Sequence, residues 1–106
     1  MKFKIYQIKK HHCKYLFRDY AYAKSHNFAI GDYEKVYEGE LNAIVPNDTA
    51  LELIFMRFNT NHPLDYNARS LSVSDIVDLE GKYFYCDDAS WTELPIPTVL
   101  NGGFTS

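Results

Sequence analysis

The sequence predicts an α+β fold, an antiparallel sheet of four to five strands packed against one main helix and a shorter second helix. Three observations carry this. The chain opens on a run with period-two alternation, Lys2 to Ile8, and a second pair of such runs brackets Glu80-Gly81, the signature of a hairpin. Between them, Leu51, Ile54, Phe55 and Phe58 recur at helical spacing. The length of 106 residues suits one domain, because a second core would be too small to stand unaided.

Taken in order, Lys2 to Ile8 places Phe3, Ile5 and Gln7 on one face of a strand and Lys2, Lys4, Tyr6 and Ile8 on the other. Tyr15 to Ser25 reads as a short helix through Leu16, Phe17, Tyr20 and Ala23, ending near Asn27. Tyr33 to Leu41 is a second strand with Tyr33, Lys35 and Tyr37 on one face and Glu34, Val36 and Glu38 on the other, and Gly39 marks a bulge or an early end. Pro46 to Thr49 is a turn leading into a helix over Thr49 to Phe58, where Thr49 and Glu52 have the spacing of a capping box. Asn59 to Ser70 is a loop, since Asn61-His62-Pro63 blocks helical continuation. Ser74 to Leu79 and Lys82 to Cys86 form the hairpin, and Trp91 to Leu94 a last short strand. Residues 1–94 are therefore read as one domain and 95–106 as an extended tail, with Gly102 and Gly103 as structure breakers.

Composition bounds the function classes. A hydrophobic fraction of 46% excludes a chain unable to bury a core. Cys13 and Cys86 have no CxxC spacing, so neither a disulfide framework nor a zinc site is expected, and a reducing, cytoplasmic setting fits. No run approaches the length of a membrane span and the first residues lack a signal-peptide core. Nine Tyr among the aromatics suit a sheet face or an interface, and Tyr15, Tyr20, Tyr22, Tyr33 and Tyr37 are candidates for an exposed patch. Residues 1–24 carry seven basic side chains against Asp19, a balance of +6, and residues 25–106 carry −9. Such asymmetry marks a basic patch, an acidic face, or strands whose charges neutralise one another.

Candidate reactive groups are judged by what their chemistry needs. His11-His12-Cys13 lacks a second ligand pair, so no metal is expected. Cys86 with His62 and Asp65 has the residue types of a nucleophilic triad, but Cys86 sits in an aromatic strand and reads as a structural thiol. Ser70, Ser72 and Ser74 have no glycine-rich nest for phosphate. Instead Ser74 and Asp75 can hold backbone amides while Arg69 reaches Asp65 or Asp75. No cofactor and no enzymatic activity are expected.

The segment Arg57 to Val77, containing His62-Pro63-Leu64-Asp65-Tyr66 and Ser70-Leu71-Ser72-Val73-Ser74-Asp75-Ile76-Val77, followed by the strand from Gly81 to Asp88, resembles the YodL-like domain family. Looser similarity extends through Lys4 to Ile8 and Glu34 to Tyr37, and the sequence departs from the family pattern at Asp88-Ala89-Ser90. The resemblance implies a passenger of plasmids, conjugative elements and phages of Gram-positive bacteria. By analogy it implies an anti-defence inhibitor, anti-CRISPR or anti-restriction, whose partner is a host nuclease or defence complex. Its acidic residues Asp32, Glu34, Glu38, Glu40, Asp48, Glu52, Asp87 and Asp88 would meet a basic groove. The expected partner-binding residues are Tyr33, Glu34, Tyr37, Glu38, Glu40, Asn59, His62, Asp65, Tyr66, Asp87 and Asp88. The alternative, less favoured, is a nucleic-acid-binding accessory protein using Lys2, Lys4, Lys9, Lys10, Lys14 and Arg18.

Overall fold

A computed structural model describes residues 1–95, so the tail expected over 95–106 lies outside the described residues except for Pro95. The elements follow as β1 (Lys2–Ile8), α1 (Tyr20–Ser25), a 3-10 turn (Ile30–Asp32), β2 (Tyr33–Glu40), α2 (Asn47–Thr60), β3 (Ile76–Leu79), β4 (Lys82–Cys86) and β5 (Trp91–Glu93). The five strands form one antiparallel sheet in the order β2-β1-β3-β4-β5. The α+β class, the main helix, the second helix and the hairpin are as the sequence predicts.

Both faces of the sheet are covered. On one, α2 lays Ala50, Leu51, Ile54 and Phe58 over Phe3, Ile5, Val77, Leu79 and Phe84. Each large apolar side chain buried there contributes roughly 1.5–3 kcal/mol of transfer free energy before entropy is counted. On the other, the segment between β1 and β2 brings Tyr15, Ala23 and Ile30 onto Tyr6, Ile8, Tyr33, Ile76 and Tyr85. The alternation read in β1 thus feeds two cores.

The expected faces of β2 need correcting. Ile5 pairs with Tyr37 and Tyr6 with Lys35, so Val36 is an extra residue and the bulge lies there, not at Gly39. A bulge inverts the alternation beyond it. Tyr33 therefore joins Ile8 and Tyr6 in the second core, while Tyr37 joins the α2 face and packs on Phe58 with ring centroids 5.1 Å apart. Gly39 is held to its identity by crowding: a Cβ there would come within 2.8 Å of the Tyr37 ring.

The helices also begin elsewhere than expected. Phe17 adopts a left-handed φ of 65°, which ends any helix from Tyr15. Asp19 restarts it by accepting the Tyr22 amide at 2.8 Å, so α1 is only six residues. In α2 the helix starts at Asn47, placing Thr49 inside the first turn instead of at the cap. Glu52 turns away from the chain start and accepts the Trp91 indole N–H at 3.0 Å. At the other end Asn59 and Thr60 remain helical and donate to the Phe55 and Met56 carbonyls. Asn59 is therefore a helix residue, and the loop begins at Asn61.

Strand β3 starts at Ile76 because Ser74 has a φ of 85°. Ser74 is fully buried and spends every polar group: its amide donates to the Cys86 carbonyl, its carbonyl accepts Tyr33 OH at 2.6 Å, and its Oγ accepts the Phe17 amide at 3.0 Å. Glu80 and Gly81, with φ of 53° and 89°, close the β3-β4 turn with the left-handed pair that a type I′ hairpin turn requires.

Candidate functional site

Strand pairing dissolves the part of the charge asymmetry that lies in β1. Lys2 lies opposite Glu40, Lys4 lies between Glu38 and Asp78, and Lys35 bonds Glu38 at 2.9 Å. Glu38 and Glu40, expected as an acidic docking edge, thus sit among lysines, while Glu34 lies on the opposite face from them, across from Gln7.

Acidic side chains gather instead where the start of α2 meets the β4-β5 turn. Two adjoining hollows of about 170 and 460 Å³ share Glu52, Ala89, Ser90 and Trp91. The first adds Phe55, Cys86, Asp87 and Asp88, and the second adds Asp48 and Thr49, with no basic residue in either lining. The indole of Trp91 is oriented by its bond to Glu52 and by edge-on contact with Phe55 at 6.3 Å. Asp48, Glu52 and Asp88 are exposed. Asp87 has a different role: its carboxylate accepts the Tyr20 amide at 3.0 Å and Thr92 OH at 2.6 Å, pinning α1 and β5 to the turn. Of the two expected partner-binding residues here, Asp88 faces outward and Asp87 is a structural tie.

The remaining expected residues divide the same way. Tyr33 is 5% exposed and Tyr66 3%, so both are core residues with no surface to offer. Among the aromatics considered for a patch, Tyr15 is also buried, with its hydroxyl on Asp32 at 2.6 Å. Tyr37 stays half-buried at a shallow hollow of about 40 Å³ lined by Phe3, Glu40, Leu41, Arg57 and Pro63. It donates to Asp65 at 3.3 Å, and His62 packs 5.5 Å from Tyr66. Asn59, His62, Asp65 and Tyr37 therefore lie around the end of α2 remote from its acidic start.

What fixes the 61–75 loop is a buried polar node. Asp75 is 0% exposed and accepts Arg69 Nη2 at 2.9 Å, the Ser72 amide at 2.8 Å and Gln7 Nε2 at 3.1 Å. Tyr66 OH donates to the Arg69 carbonyl, which also accepts Gln7. Burial pushes the Asp75 carboxyl up to about 7 against the opposing pull of Arg69, Ser72 and Gln7. The pairing of Arg69 with Asp75 was legible in the sequence. Gln7 was missed as a partner, although a lone amide in an otherwise apolar strand face is the signal that could have found it.

Cys86, His62 and Asp65 do not share a site: Cys86 lies beside Glu52, Phe55 and Trp91, whereas Asp65 holds Tyr37. Burial, reinforced by Asp75, Glu52 and Asp87, raises the Cys86 thiol to about 12, the reverse of what a nucleophile needs. Native protein treated with iodoacetamide at pH 8 is therefore expected to leave Cys86 unmodified until denaturant is added, as peptide mass mapping would record. Among the described residues no three His, Cys, Asp or Glu side chains are grouped to hold a metal ion, and no helix is long and apolar enough to cross a membrane.

These features define a small α+β domain with a two-sided core, a polar node under its longest loop and an acidic, tryptophan-bearing hollow at one end. The chain belongs to the YodL-like domain family, whose model matches residues 2–96. Searches of curated proteins and of solved structures found no match.

Proposed function

We propose that this chain is a non-enzymatic, cytoplasmic interaction domain that docks the acidic hollow at the start of α2 onto a basic protein surface. The observation that carries the reading is the convergence of Asp48, Glu52 and Asp88 around an oriented Trp91, with no cation in the lining. Carboxylates around an indole suit an arginine or lysine side chain, which gains both ion pairing and contact with the ring face. The basic surfaces in view are the nucleic-acid grooves of host nucleases, so an anti-CRISPR or anti-restriction inhibitor carried by a mobile element is the biological form this proposal takes.

The test is inhibition of purified Cas and restriction nucleases at 50 and 300 mM salt. Inhibition that weakens with salt, and that falls about ten-fold or more in Glu52→Lys/Asp88→Lys, is the expected outcome, since reversing a central charge pair typically costs several kcal/mol. Inhibition untouched by that double reversal, or a lack of inhibition at low salt across the panel, removes the reading.

A further inference from the structure

The tip between β1 and α1 presents an aromatic ring that folding alone does not account for. Phe17 holds φ at 65°, a region that bulky side chains rarely adopt and glycine adopts freely. The residue is 53% exposed, so burial gives little return for the strain. The conformation is nevertheless fixed from two directions. The Phe17 amide donates to the buried Ser74 Oγ, and Tyr85 OH donates to the Arg18 carbonyl at 2.8 Å. Strain held in place by surrounding bonds is characteristic of residues kept for a task.

Around this ring the chain interleaves cations and aromatics. Arg69 lies over Phe17 at 5.4 Å, Arg18 over Tyr22 at 3.7 Å and Lys24 over Tyr20 at 5.1 Å, and His26 stacks on Tyr22 at 3.8 Å. Lys9, Lys10, Lys14, Arg18 and Lys24 are all exposed on the same stretch of chain. Of the carboxylates bonded to this segment, Asp75 is paired with Arg69, while Asp19, Asp32 and Asp87 hold neutral donors, which do not cancel charge: the Tyr22 amide, Tyr15 OH, and the Tyr20 amide with Thr92 OH. The segment from Lys9 to Lys24 thus presents five exposed cations, outnumbering Asp19, Asp32 and Asp87, and carries the exposed Phe17 ring within it.

We infer that the Phe17–Arg18 tip is a binding site for single-stranded nucleic acid, with a base on the Phe17 ring and phosphates on Arg18 and the neighbouring lysines. Unpaired bases offer the flat faces that aromatic side chains stack on, and the backbone supplies the anions that this segment complements. A duplex hides those faces. The site is separate from the acidic hollow and does not depend on the function proposed for it.

The experiment is fluorescence anisotropy with a labelled thymidine 20-mer, the matching duplex, and unlabelled poly-glutamate as competitor, at 50 and 200 mM salt. Wild type is expected to bind the single strand more tightly than the duplex, with affinity falling as salt rises. Phe17→Gly should weaken binding about ten-fold, the loss of one stacked base, while melting at or above the wild-type temperature because glycine relieves the backbone. Arg18→Glu should weaken binding and flatten its salt dependence. The inference is overturned by an absence of single-strand binding at 50 mM salt, or by equal displacement of the strand by poly-glutamate, which would mark the tip as a site for acidic protein. It is equally overturned if Phe17→Gly binds like wild type or melts several degrees lower, the latter showing that the ring is a structural cover for Arg69 and Asp75.

Discussion

Replacing Asp75 with alanine is expected to destabilise the fold by about 3–5 kcal/mol, the usual cost of removing one partner from a buried ion pair. The change would strand Arg69, the Ser72 amide and one donor of Gln7 where Asp75 now sits fully enclosed. Asp75→Asn keeps the shape and should lose less. The two variants also separate charge from packing through pH. With a folded pKa of about 7 against an ordinary value of 3.8, the native state binds more protons than the unfolded chain between those limits. Stability from this group is therefore fully present below pH 4 and lost as pH rises towards and through 7, a change on the order of a few kcal/mol. Urea titrations at intervals from pH 4.5 to 8 should show wild type losing stability relative to Asp75→Asn as pH rises. A difference that is flat across that range would mean that Arg69 and the amide donors offset burial completely.

The framework was legible because its signals are local and repeated. Alternation in Lys2–Ile8 and Lys82–Cys86, the helical stripe from Leu51 to Phe58 and the Glu80-Gly81 turn each specify their element without knowledge of the rest. What was not legible depends on single backbone choices. One extra residue at Val36 sends Tyr33 and Tyr37 to opposite cores, and alternation read through the bulge puts them on one face. A left-handed Phe17 shortens α1, yet nothing in its neighbours' identities announces that conformation, because its amide is satisfied by Ser74 across 57 positions of sequence. The acidic hollow has the same character. Asp48 and Glu52 lie on α2 but Asp88 lies in the β4-β5 turn, and the bond from Trp91 to Glu52 and its ring contact with Phe55 bring the β5 end onto α2. Charge was similarly misleading when summed along the chain, since pairing β1 with β2 and β3 sets Lys2 and Lys4 among carboxylates.

Phe58→Ala is the second large effect, and its consequences should reach beyond the cavity it leaves. Phe58 is 0% exposed, with ring centroids 5.9 Å from Phe3, 5.1 Å from Tyr37 and 4.8 Å from Tyr66. Truncating such a ring costs about 3–5 kcal/mol, a large share of the roughly 5–15 kcal/mol typical of a domain. A fall in melting temperature of well over 10 °C follows at about 4–8 °C per kcal/mol for a chain of this size. Phe58→Leu, which leaves less empty volume, should lose markedly less. Tyr66 then links this core to the polar node: its ring rests on Phe58 while its hydroxyl donates to the Arg69 carbonyl and accepts Gln7. If Tyr66 shifts into the space left at position 58, those bonds loosen, and Asp75→Asn should cost less in the Phe58→Ala background than in wild type. A double-mutant cycle by urea denaturation would read this as a coupling of at least about 0.5 kcal/mol. Strict additivity would show that the α2 core and the loop node are independent, with Tyr66 held firmly enough by its hydroxyl alone.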